Sequence, residues 1–316
     1  MKANSPRASL VITTKNRKND LRKAIASALR QTEPLEVLVM DDGSTDGTEQ
    51  AVRREFPDVQ IHRTEVSHGY IVQRNRGARL ARGSVIFSLD DDAIFSTPNI
   101  VEQTLADFVH ARVGAVAIPH LDINKSRTAL ARTDRETILV IASFTGCAAA
   151  VRRDLFLELG GYHEYLFHQC EEPDFCMRLL ARGYVTRVGS AEPIHHFVSP
   201  RRDSARQFIH NARNNLLNAW YNVPMPFLPM HWCGTLVNLT IRDAIQEKHP
   251  IWMMRGVARL TSAIWHERAA RRPVPRKIYR LSRRIVHSRG GLPLYQVEPS
   301  LTPLPTASVT AVPAAG

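Results

Sequence analysis

Val85-Ile86-Phe87-Ser88-Leu89-Asp90-Asp91-Asp92 is a short, mostly apolar run that ends in three consecutive carboxylates. It is too short for a helix, and its β-branched and aromatic residues suit a buried strand. The same pattern recurs upstream. Ser9–Thr14, Leu35–Met40 and Val59–His62 read as strands, separated by helix-like stretches around Asp20–Arg30, Asp46–Arg54 and Tyr70–Ala81. Such βαβα alternation predicts an α/β protein with a doubly wound, mostly parallel sheet covered by helices on both faces. Ligands of these sheets sit beyond the carboxyl ends of the strands, which is where this chain places its acids.

Beyond Gly114 the pattern is less regular. Val113–Ile118, Thr137–Ala142 and Cys147–Val151 are strand-like, and Pro173–Arg182 and Ser204–Tyr221 helix-like, so a mixed second half completes the sheet. Residues 1–222 are expected to form the main domain and 223–290 a basic amphipathic helical tail. Residues 291–316, rich in Pro, Ala, Thr and Ser with almost no charge, are expected to be disordered.

The 316 residues carry 44% apolar side chains, enough for one substantial core, and a net charge of +12. Ten Arg and one Lys lie between Ile251 and Gly290 against Glu267 alone, so this segment holds +10 and the rest of the chain +2. Its interleaved Ile251, Trp252, Met253, Met254, Val257, Leu260, Ile264 and Trp265 suit peripheral contact with an anionic membrane; nucleic acid is not expected as a partner. The competing reading is a solvated basic helix packed on the core by its apolar stripe. Cys147, Cys170, Cys176 and Cys233 show neither a CxxC pair nor a disulfide framework, which favours a reducing compartment. No signal peptide or membrane-spanning helix is expected, so the location is read as cytoplasmic, peripheral on the inner face of the plasma membrane.

Two acidic clusters follow two strands, Asp41-Asp42-Gly43-Ser44 and Asp90-Asp91-Asp92. Carboxylates crowded on one sheet rim repel one another unless a cation lies between them. If strand geometry continues, Asp90 and Asp92 share a face and Asp91 opposes them, a spacing that suits Mg²⁺ or Mn²⁺ together with phosphate oxygens. The first cluster could instead be a loop and helix cap, with Gly43 and Gly47 at positive φ. Glu171-Glu172 before Pro173 could be first-turn acids favoured by the helix dipole.

Val11-Ile12-Thr13-Thr14-Lys15-Asn16-Arg17, Asp41 to Thr48, Arg74-Asn75-Arg76-Gly77-Ala78, Leu89 to Asp92, Gly160-Gly161-Tyr162-His163-Glu164 and Glu171 to Leu179, in that order, resemble the family 2 glycosyltransferases of the GT-A fold. The resemblance runs from about Ser9 to Tyr221, and the basic segment is similar to tails of bacterial members that build surface polysaccharides. It implies an inverting, metal-dependent transfer from a nucleotide-sugar donor, with UDP or dTDP expected, to a glycan or lipid-linked acceptor. It further implies that Thr13, Arg17, Asp41, Asp42, Asn75, Asp90 and Asp91 contact the donor nucleotide and that Asp90, Asp92 and His195 hold Mg²⁺ or Mn²⁺. The catalytic base matches Glu172, or its neighbour Glu171, where the family usually has Glu-Asp. His196 is the weaker metal candidate of the histidine pair. A phosphotransfer enzyme of the haloacid-dehalogenase type shares the strand-then-DxD pattern but has Thr or Val four residues after the first Asp, where this chain has Ile94. A non-enzymatic membrane-docking protein would account for the basic segment alone.

Overall fold

Ala8–Thr14 (β1), buried along its whole length, is flanked on both sides by parallel neighbours. Leu35–Asp41 (β2) lies on one side, followed by Gln60–Arg63 (β3), and Val85–Asp90 (β4) on the other. Strands covered on both faces read as continuous apolar runs, which is why this half was legible. The computed structural model describes residues 6–198, 204–288 and 290–304.

Beyond β4 a short strand, Ala93–Phe95 (β5), leaves the main sheet. Val113–Ala117 (β6), His120–Asp122 (β7), Arg127–Leu130 (β8), Leu139–Ile141 (β9), Ala149–Arg152 (β10), Val185–Val188 (β11), Ile194–His196 (β12) and Leu292–Pro293 (β13) follow. Nine of these strands form one sheet in the order β13-β9-β11-β6-β10-β4-β1-β2-β3. β10 runs antiparallel to both β4 and β6, and β9 antiparallel to β11, so the second half is mixed, as expected. The remaining four make a small sheet in the order β5-β12-β7-β8, which no sequence pattern announced.

Helices Lys18–Ala28 (α1), Thr48–Glu55 (α2), Tyr70–Leu80 (α3), Ile100–Ala106 (α4), Arg153–Glu158 (α5), Glu171–Ala181 (α6) and Ser204–Asn222 (α7) accompany the strands. α3 lies so close to β1 that a Cβ on Gly77 would fall 2.5 Å from Val11 Cγ1, so only glycine permits that approach. The core side chains of β4, Phe87 and Leu89, are fully buried and each contributes on the order of 2 kcal/mol.

Phe227–Leu239 (α8), Pro250–Ala258 (α9), Leu260–Glu267 (α10) and Arg276–His287 (α11) follow, and the segment they form is not an appendage. Val223, Leu228, Val274 and Ile278 belong to the same apolar cluster as the strands, so the boundary at 222 cuts through one core. α11 buries Ile278, Tyr279, Leu281 and Ile285 and leaves Arg276, Lys277, Arg280 and Arg284 exposed. The expected disorder of 291–316 is corrected for 292–304. β13 pairs with β9, Leu294–Val297 (α12) buries Leu294 and Val297, and Arg112 holds Glu298 at 2.7 Å and the Thr302 carbonyl at 3.0 Å. These anchors come from residues far away in the sequence, which composition does not register; residues 305–316 lie outside the described residues.

Candidate active site

Parallel register sets Thr13 against Met40 on one side and Asp90 on the other, so β1, β2 and β4 end together. Their ends floor a cleft of about 650 Å³ lined by Thr13, Arg17, Asp42, Arg74, Asp90, Asp91, Asp92, Cys147, Glu171, Glu172 and His196 among others. The cleft lies at the strand ends, as the sequence implied.

The Asp triplet does not follow strand alternation, because β4 stops at Asp90 and a turn carries the next two residues. Asp90, about a third exposed, lies 2.6 Å from Arg74 Nη2. Asp91 turns back, accepting from Thr14 Oγ1 at 2.8 Å and meeting Arg17 Nη1 at 3.1 Å. Burial outweighs these partners and pushes its pKa up to about 7. Asp92 also faces burial, but contacts with His196 and Arg17 win and keep its pKa below the ordinary value. Arg17, Arg74 and His196 thus already supply cations to the three acids, so mutual repulsion alone does not demand a metal.

The small sheet delivers the histidine. β12 pairs with β5 so that His196 faces Ala93, and Phe197 N donates to the Asp92 carbonyl at 2.7 Å. Alternation then puts His195 on the other side, away from the cleft, which corrects the assignment of His195 as the metal ligand. His196 Nδ1 lies 3.0 Å from Asp122 Oδ1, and its Nε2 3.4 Å from Asp92 Oδ1. Burial alone would lower its pKa; contacts with Asp92, Cys147 and Asp122 push it up to about 11. Donor atoms of Asp90, Cys147 and His196 lie within 4.8 Å of one another, a geometry that fits a divalent cation, with the oxygens of Asp92 adjoining.

Glu171 and Glu172 open α6 directly at the cleft. Glu171 accepts from Arg74 Nη1 at 3.1 Å, and Glu172 Oε1 accepts from the Gly146 N–H at 3.0 Å. Burial raises the pKa of both, their mutual repulsion adds to the rise of Glu171, and Arg74 opposes it. The turn into α6 places Gln169 and Cys170 at φ 69° and 70°, a conformation costly for non-glycine residues. It is held from α7: Asn214 Nδ2 lies 2.8, 2.7 and 2.9 Å from the carbonyls of Leu166, His168 and Gln169.

Of the residues expected to contact the nucleotide, Asp41 and Asn75 do not line the cleft. Asp41 is fully buried, accepts from the Ser44 N–H at 2.8 Å and does not line the cleft; Asp42 does, fixed by Ser67, His68, Gly69 and Gln73. Asn75 faces the protein, clasping Tyr162 through its backbone N–H and carbonyl, whereas Arg74 points into the cleft. Both side chains alternate or rotate away from the face that the motif alone cannot fix. Sequence reasoning gave Cys147 no place beside the acids and missed Asn214, which sits in a polar stretch of helix with no pattern to mark it.

Residues 9–160 match the profile described as glycosyl transferase family 2. An uncharacterized glycosyltransferase, YwdF of Bacillus subtilis, is 31% identical over 200 residues, covering 60% of this chain and 74% of that protein. The N-acetylglucosaminyl-diphospho-decaprenol L-rhamnosyltransferase of Mycobacterium tuberculosis is 24% identical over 307 residues, covering 82% of this chain and 92% of the relative. Among solved structures, S. aureus TarS 1–349 in complex with UDP-GlcNAc superposes with a TM-score of 0.61 at 16% identity, covering 88% of this chain and 87% of that one, a likeness of fold. With these matches the phosphotransfer and non-enzymatic readings lapse, and the chain belongs to the family 2 glycosyltransferases of the GT-A fold.

Proposed function

We propose that this chain transfers a sugar, with inversion, from a nucleoside diphosphate to a glycan or lipid-linked acceptor in cell-surface polysaccharide synthesis. The observation that carries the reading is the convergence of the Asp90–Asp92 turn, Asp42 and the Glu171-Glu172 pair on one cleft at the strand ends. Thr13 and Asp42 line the nucleoside end, while Arg17 fixes Asp91 and Asp92. Asp90, Asp92 and His196 would hold Mg²⁺ or Mn²⁺, which when bound neutralises the departing diphosphate. Glu172 is the base. Its Oε1 is pinned by Gly146, so Oε2 takes the acceptor hydroxyl proton as that oxygen attacks the anomeric carbon. A raised pKa suits a base that must both accept and release a proton near neutrality.

The donor is read as a UDP or dTDP sugar, and TarS, similar in fold, is a UDP-GlcNAc complex. A lipid-linked acceptor is in keeping with the decaprenol-linked substrate in the relative's name. Peripheral contact with an anionic membrane at the cytoplasmic face is supported by exposed Val237, Ile241, Ile245, Ile251, Met254 and Trp265 among exposed Arg242, Lys248, Arg255, Arg259 and Arg268. Trp252, Met253, Val257, Leu260 and Ile264 are partly buried and contribute little to that face. No helix among the described residues is long and apolar enough to cross a membrane.

Calorimetry with UDP, dTDP and GDP, with and without Mn²⁺, tests the reading on wild type, Asp92→Asn and Glu172→Gln. Metal-dependent binding weakened in Asp92→Asn and kept in Glu172→Gln, with transfer lost in the latter, is the expected result. Unchanged transfer in Glu172→Gln would remove the base assignment, and binding of none of the nucleotides would remove the donor assignment.

A further inference from the structure

We propose that Cys147 makes the cation site of the cleft a mixed oxygen, nitrogen and sulfur site, so that Asp90, Cys147 and His196 bind a thiophilic divalent cation, Zn²⁺ above all. The location rests on the reading of the cleft given above; the sulfur ligand goes beyond it.

Cys147 is 2% exposed, with its thiol turned toward the carboxylates. Its position is set from both neighbours. Ser88 of β4 donates to the Gly146 carbonyl at 2.7 Å, and Ala148 N donates to the Thr145 carbonyl at 2.9 Å, so the loop is clamped at the point where the thiol emerges. One donor atom from each of Asp90, Cys147 and His196 lies within 4.8 Å of the other two.

The histidine supplies the second observation. His196 is 7% exposed, and its buried Nε2 makes no hydrogen bond of good geometry, lying 3.4 Å from Asp92 Oδ1 and beside the Cys147 thiol. Its other nitrogen is held by Asp122 at 3.0 Å. A carboxylate on Nδ1 fixes that nitrogen as an N–H, so Nε2 is the nitrogen a metal would take by displacing its proton, the arrangement by which proteins orient ligating histidines. Carboxylate and imidazole alone would suit Mn²⁺ or Mg²⁺. Adding a thiolate shifts preference toward softer ions, and three protein ligands of these kinds with an open fourth position are a zinc arrangement. Binding releases the thiol proton and the Nε2 proton of the imidazolium to solvent as the Zn–S and Zn–N bonds form, with no redox change. Zinc so held would occupy the place of the donor's own cation and compete with it.

Cobalt(II) titration of the whole chain under anaerobic conditions tests this. One equivalent should develop a near-ultraviolet thiolate-to-cobalt charge-transfer band, and one equivalent of Zn²⁺ should abolish it. The band should vanish in Cys147→Ser and persist in Cys233→Ser, whose thiol is the exposed control. Should Cys147→Ser fail to fold, zinc-edge absorption on the zinc-loaded wild type decides, with one sulfur scatterer at about 2.3 Å expected. Cobalt bound without the band, a band that survives in Cys147→Ser, or a zinc shell lacking sulfur would overturn the proposal. Metal-dependent nucleotide binding measured in parallel keeps the two readings apart, since its loss would strike the transfer assignment and leave a sulfur-ligated zinc site standing.

Discussion

Arg74 lies 2.6 Å from Asp90 and, through its other terminal nitrogen, 3.1 Å from Glu171, so one buried guanidinium ties the end of β4 to the start of α6. Its charge is 6% exposed and stacks over the Tyr70 ring at 4.7 Å. Asp90, the carboxylate proposed as a cation ligand, and Glu171, the acid beside the proposed base, are therefore spaced by a single side chain.

Arg74→Met should accordingly cost both fold and function. Removing one partner of a buried ionic network strands the others, a penalty of about 3 kcal/mol. Denaturant melts should show that loss. Arg74→Lys, a point charge unable to bridge two acids, should fold better yet still transfer at least about tenfold more slowly. Wild-type rates in Arg74→Lys would mean that bridging is irrelevant to the chemistry.

Asn214 carries the turn that presents Glu171 and Glu172. Asn214→Ala removes the side-chain donor from the carbonyls of His168 and Gln169 in a buried setting, while the Leu166 carbonyl keeps Arg213, and the loss costs about 2 kcal/mol. The turn also holds two residues at positive φ, so it should relax once released. The expected signature is a fall in kcat of about tenfold or more with nucleotide affinity unchanged, because Asp42 and Thr13, the proposed nucleoside contacts, stand on other elements.

Half of this was legible in the sequence and half was not, for reasons that are physical. β1, β2 and β4 are long, doubly buried strands whose apolar runs and acidic ends can be read directly, and with them Asp42, Asp90 and Asp92. The choice between His195 and His196 depends on a three-residue pairing of β12 with β5, too short to leave a pattern, and a one-residue slip reverses the face. Asp41 against Asp42 and Asn75 against Arg74 pose the same parity problem at the ends of β2 and within α3. Cys147 enters the site only because β10 returns antiparallel beside β4. The ordering of 292–304 depends on Arg112, more than 180 residues away in sequence.

Asp174 gives a pH test that is independent of the cleft's ligands. It is fully buried and held by Arg178 at 2.7 Å, Asn222 at 2.8 Å and His163 at 3.3 Å, which joins α6 to α7. Burial opposes its ionisation, but Arg178 and His163 outweigh it and hold the carboxyl well below the usual range. A depressed folded-state pKa stabilises above the unfolded value and is lost as pH falls through the folded one. Asp174→Asn should therefore be less stable than wild type by about 3 kcal/mol at pH 7. The gap should narrow as pH drops below about 4. A gap that stays constant down to acid unfolding would mean that the charge contributes nothing.

Gly146 separates binding from chemistry. A Cβ there would lie 2.5 Å from Arg74 Nη1 and 2.8 Å from Glu172 Oε1, closer than real contacts allow. Arg74 is held by Asp90 and Glu171, so Gly146→Ala must push the Glu172 carboxylate off the Gly146 N–H or drive Arg74 from Asp90. Displacing a base by even an ångström costs on the order of a hundredfold in rate. Thr13 and Asp42, proposed to hold the nucleoside, are untouched. Gly146→Ala should therefore bind donor nucleotide with near wild-type affinity by calorimetry while kcat falls by about two orders of magnitude. Nucleotide binding lost together with turnover would instead place Gly146 in the donor pocket, and unchanged turnover would show that the Glu172 carboxylate finds its proton from another position.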